Sequence, residues 1–129
     1  MLFVQGANGN ELHYIVSDLG ATFGKTGGQK SPMAFLRNVK GSRNEPEDYA
    51  GDKFLEGVEG GKVRLHFSGK NAGIMSDVTV EDARWLGGLL SKLSDSQIED
   101  AFRAANYTPE QIKLLAQAVR QRINQLAGL

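Results

Sequence analysis

The chain has 129 residues, of which 15 are Lys or Arg, 15 are Asp or Glu, 16 are Gly and none is Cys. Disulfides and Cys-ligated metals are excluded, and zero net charge argues against a protein that coats polyanions. A composition that is 40% hydrophobic and 23% charged suits a folded domain with a modest core.

In chain order, residues 1–18 read as a β-hairpin. Leu2-Phe3-Val4 and Leu12-His13-Tyr14-Ile15-Val16 are β-rich runs around Gly6-Ala7-Asn8-Gly9-Asn10, and Asn-Gly is a hairpin-turn signal. Residues 19–52 lack periodicity and are rich in Gly, so they read as a long irregular loop. From 19 to 44 the cations Lys25, Lys30, Arg37, Lys40 and Arg43 stand without any acid, and Glu45, Glu47, Asp48 and Asp52 follow. The neutral total thus hides a basic segment.

Residues 53–68 predict a second hairpin, Phe54–Val58 and Val63–Phe67 around Glu59-Gly60-Gly61, with Val63, Leu65 and Phe67 on its apolar face. Three helices are expected over 79–127, starting at Thr79, Ser94 and Thr108. The last two begin capping boxes with Gln97 and Gln111, and Pro109 takes the favoured first helical position. Leu93 with Ile98 and Tyr107 with Ile112 have the spacing of hydrophobic staples. The interior pair Gly87-Gly88 costs helix propensity, which points either to close approach of another backbone or to simple drift. Trp85, Phe102 and Tyr107 read as core and staple residues, and Arg120 and Arg122 as complements to a helix dipole. The fold class expected is α+β: two hairpins and a long Gly-rich loop packed with a C-terminal three-helix bundle, in one domain spanning 1–129.

Chemistry concentrates after the first hairpin. Gly24-Lys25-Thr26 has the tail of a phosphate-binding P-loop, but the first Gly of that pattern should fall at position 19, which is Leu. The following Gly27-Gly28-Gln29-Lys30-Ser31-Pro32 should also break the helix a P-loop must open. A second pattern starts from Asp18. A carboxylate at a strand end is a hard oxygen ligand suited to Mg²⁺, and Gly20 lets the backbone turn away from the ion. The bland reading of the same residue is a turn carboxylate accepting backbone N–H groups. His13 and His66 lie on separate strands without ligand-spaced partners, which argues against zinc. No Gly-x-Ser-x-Gly elbow is present.

Asp18-Leu19-Gly20-Ala21-Thr22-Phe23-Gly24 resembles the metal-binding Asp-x-Gly segment of atypical kinases, the lipid-kinase-like and HipA-type group. The whole chain resembles the C-terminal half of bacterial proteins with such a kinase-like lobe. The likeness is carried by Tyr14–Gly24, Gly61–Phe67, Glu81–Leu86, Leu93–Ile98 and Ala101–Arg103. It implies a partial kinase C-lobe in which Asp18 ligates Mg²⁺ accompanying ATP, Gly20 and Gly24 shape the phosphate-facing loop and Lys25 contacts phosphate. The catalytic Asp, a second metal ligand and the nucleotide-clasping lobe with its Lys lie upstream of this ribbon in such proteins. The expectation is therefore a fragment of a larger kinase-like domain, with no catalytic residue of its own and inactive alone. Its expected partners are the missing N-terminal lobe, or another protein, and nucleotide. A non-catalytic interaction module is the alternative. Nucleic acid is disfavoured by neutral charge and by the lack of interleaved aromatics beyond Phe23 and Phe35. Without a signal-peptide pattern or a spanning stretch, a cytoplasmic location is expected and a membrane partner is not.

Overall fold

A computed structural model of the chain describes residues 2–6, 9–13, 23, 45–67 and 72–129, and for residues 2–6, 9–13, 72 and 74 it describes the backbone alone. The described elements are strands β1 (Leu2–Gly6) and β2 (Gly9–His13), helix α1 (Pro46–Gly51), strands β3 (Leu55–Glu59) and β4 (Lys62–Leu65), a short helix α2 (Ala72–Met75), and helices α3 (Val80–Leu90), α4 (Asp95–Ala104) and α5 (Pro109–Ala127). The mixture is α+β, with two separate two-stranded antiparallel sheets.

In the first sheet Leu2 pairs with His13 and Gly6 with Gly9. The pairing thus extends to Gly6 and Gly9, and β2 begins at Gly9 rather than at the expected Leu12. Residues 14–18 of the expected hairpin lie outside the described residues. In the second sheet Gly60 and Gly61 both have positive φ, 57° and 76°. A tight two-residue connection of the twist-matched type requires that at both positions, and glycine adopts it without a Cβ clash. A bulge between Leu55 and Gly57 shifts the register. Residues 77–80 then run along the other edge of β4: the Val63 N–H donates to the Val78 carbonyl at 2.9 Å and the Val80 N–H to the Gly61 carbonyl at 3.1 Å. Lys62 and Asp77 add an exposed ion pair of 2.8 Å over this edge.

One departure from the sequence reading is α1, which lies inside the segment expected to be irregular throughout. Pro46 sits at the first helical position and Glu47 and Asp48 in the first turn, where fixed φ and negative charge suit a helix start. Six residues are too few to show a 3.6-residue period.

The three long helices start where their caps predict. The Thr79 hydroxyl accepts from the Asp82 N–H at 3.1 Å, and Ser94 and Thr108 form full capping boxes with Gln97 and Gln111. Helix α4 ends in a Schellman motif. The Tyr107 N–H reaches the Phe102 carbonyl, the Asn106 N–H reaches the Arg103 carbonyl, and Asn106 takes a left-handed φ of 64°. The accompanying apolar contact is an edge-to-face pair of Phe102 and Tyr107 rings with centroids 5.6 Å apart.

Helix α5 is the common support, since α1, α3 and α4 all pack on it. Along its length from Ile112 to Ile123, Ile112, Leu115, Ala116 and Ile123 are buried with Ile98 and Phe102 of α4. Towards its end, Leu126 is buried with Val63 of β4 and Ala83 of α3. Burying the Ile, Leu, Val and Phe side chains among these is worth about 1.5–3 kcal/mol each. The β4 alternation decays along the strand: Val63 is fully buried, Leu65 half-buried and Phe67 exposed.

Candidate functional site

Asp18, Gly20, Gly24 and Lys25 all lie outside the described residues, as does the basic segment that follows them. One residue of that stretch is described. The Phe23 ring meets Tyr49 of α1 edge-on at 5.2 Å between centroids and Phe102 of α4 at 4.8 Å. Phe23 therefore docks on the apolar cluster that α4 and α5 share, at a point one residue before Gly24 and five after Asp18 in sequence.

Tyr49 is also held by α5. Arg122 lays its guanidinium 3.7 Å from the Tyr49 ring centroid, stands 5.3 Å from the Phe54 centroid, and donates to the Tyr49 carbonyl at 2.6 Å. Cation–π contact and a charge-assisted hydrogen bond thus act on one residue. Burial pushes the Tyr49 phenol above its ordinary value of 10.0, and the Arg122 charge and hydrogen bond only partly oppose this. Arg120 also serves another element: it bonds Asp95 at 2.7 Å and the Leu93 carbonyl, so it ties α5 to the start of α4. Neither arginine lies in the last turn of α5, so the dipole role expected for them gives way to cross-element contacts.

The outward face of the second sheet is charged. His66 Nδ1 is 2.9 Å from Glu56 and its Nε2 is 3.8 Å from Asp52, while Arg64 bonds Glu59 at 2.9 Å. The hydrogen bond to His66 draws the Glu56 carboxyl below its usual range. The groove beside these residues is open to solvent, lined by Glu56, Lys62, Arg64, His66, Phe67 and Met75 among others. Among the described residues no group of three or more His, Asp or Glu side chains is placed to hold a metal ion.

A feature that the sequence reading assigned to the core is on the surface instead. Trp85 of α3 is 67% exposed, and Leu86, Leu89 and Leu93 beside it are 43%, 41% and 40% exposed. The inner side of α3 is filled by Ala83, Gly87 and Leu90, which leaves the indole pointing away from α5. The signal was present in the sequence: Val80, Ala83, Trp85, Leu86, Leu89 and Leu90 spread round more of the helix than a single core-facing stripe. Among the described residues no helix is long and apolar enough to cross a membrane. Compared with protein-family models, curated proteins and solved structures, the chain gives no match.

Proposed function

We propose that the chain is the C-terminal, metal-holding portion of an atypical kinase-like protein and is inactive by itself. Asp18 ligates the Mg²⁺ that accompanies ATP, Gly20 and Gly24 permit the turns of the loop, and Lys25 contacts phosphate. An upstream lobe supplies the base and the remaining nucleotide contacts. The observation that supports this reading is the seat of Phe23. A ligand loop needs a rigid backing, and the Phe23 ring, which meets Tyr49 and Phe102 edge-on, is a fixed point on the helical core close in sequence to Asp18 and Lys25.

Ligand that binds only the folded chain raises its stability, by about 2.7 kcal/mol at a hundredfold excess over Kd. Mg²⁺ with ATP should accordingly raise the melting temperature, and Asp18→Ala should remove that rise. An unchanged melting temperature at millimolar Mg²⁺ and ATP, or a rise that survives Asp18→Ala, overturns the assignment.

The exposed apolar side of α3 favours a second reading, a non-catalytic interaction module. In it the helices present Trp85 and its neighbours to a protein partner, and residues 19–44 serve as a connector.

A further inference from the structure

The outer side of α3 carries a pattern beyond its apolarity. Glu81, Trp85, Gly88 and Lys92 recur at helical spacing, so they form one line down the exposed side, with Leu89 next to it. A Cβ built on Gly88 meets nothing within 4 Å. Neither Glu81 nor Lys92 forms an ion pair among the described residues. The line therefore holds a large knob, a gap and two charges without an ion-pair partner among the described residues, acidic near the helix start and basic beyond its end.

We propose that this line is self-complementary and is the contact surface for a second copy of the chain, its α3 packed antiparallel about a two-fold axis. The proposal rests on the interaction-module reading and is independent of the metal assignment. In such a pair, positions equidistant from the midpoint face each other. Setting Glu81 of one copy opposite Lys92 of the other puts that midpoint between Leu86 and Gly87. The same register sets Trp85 opposite Gly88. One register thus satisfies two independent requirements, and two-fold symmetry repeats each. The indole of either copy lies over a backbone bare of side chain, and opposite charges meet at both ends. Parallel helices, or a register one turn away, lose both matches. The pairing also explains an otherwise costly residue, because an interior helical glycine is about 0.8–1 kcal/mol worse than alanine.

Sedimentation of the full chain, with emission from Trp85, its single tryptophan, tests the proposal. As concentration is raised the chain should pass from monomer to dimer while the emission moves to shorter wavelength. Gly88→Leu fills the gap from a position where a Cβ meets nothing within 4 Å, and it should weaken association by about tenfold or more, as losses at a central aromatic anchor do. Glu81→Lys should weaken it too, and Glu81→Lys with Lys92→Glu should restore it. A dimer indifferent to Gly88→Leu and to charge reversal overturns the proposal. So does a chain that stays monomeric at every concentration, and the dilute spectrum then separates the two readings. Solvent-exposed emission leaves the module reading standing with a different partner, whereas shielded emission in the monomer removes it as well.

Discussion

The neighbouring glycines of α3 have opposite surroundings. A Cβ on Gly87 would lie 2.7 Å from the Leu126 carbonyl carbon and 2.9 Å from the Ala127 Cα, and would also strike the Ala127 nitrogen, whereas one on Gly88 has open space. Backbone cannot give way as a flexible side chain can, so Gly87→Ala must push α3 off the end of α5. We expect a net cost of about 1–2 kcal/mol, since overpacking of roughly 2–3 kcal/mol against rigid backbone outweighs the gain of about 1 kcal/mol in helix propensity. Gly88→Ala should raise monomer stability by roughly 0.5–1 kcal/mol. Urea midpoints of the two variants check this, and equal effects would contradict the packing. The pair was legible in sequence as a site of close backbone approach, and the structure restricts that approach to Gly87. Trp85 was misread because size and apolarity give a residue a strong claim on the interior. Its exposure depends on which arc of α3 the C-terminal turn of α5 covers, and Gly87 decides that through a contact nearly 40 positions away in the chain.

The long helices and the second hairpin were legible because their determinants are local: a hydroxyl and an amide three residues apart, a proline at a helix start, two glycines between strands. Ser94 and Thr108 each satisfy an N–H of the first helical turn, at 3.2 Å to Gln97 and 3.3 Å to Gln111. Replacing either by Ala should cost about 1 kcal/mol, and the two losses should add because the caps share no partner. Chemical denaturation of the single and double variants measures this, with a double-variant loss well below the sum showing that the boxes are coupled. Helix α1 was not legible, because six residues carry too little period and its stability comes from distant groups. Tyr49 holds it through Phe23 and Arg122, and no local pattern announces either contact. Asp18, Gly20, Gly24 and Lys25 lie outside the described residues, and the contacts of Phe23 with Tyr49 and Phe102 come from tertiary packing that no local pattern announces.

Across the whole molecule, the rings of Phe23, Tyr49, Phe102 and Tyr107, with Arg122, join segments from 23 to 122 into one cluster. Its integrity has a pH signature. The Tyr49 phenol is raised above 10.0 in the folded chain, chiefly by burial, so the folded state holds that proton more tightly than the unfolded state does. Between the two pKa values the unfolded chain carries fewer protons, and stability therefore falls as pH rises past 10.0 towards the folded value. Below that window the contribution is fully present. Tyr49→Phe keeps the ring under Arg122 and against Phe23 but removes the ionisable hydroxyl, so it should flatten the part of the alkaline loss that Tyr49 causes. The readout is the difference in urea midpoint between wild type and Tyr49→Phe from neutral pH to above 10. A difference that moves in favour of the variant as pH rises places a neutral phenol inside the cluster, and a constant difference would mean that Tyr49 ionises as it does in water.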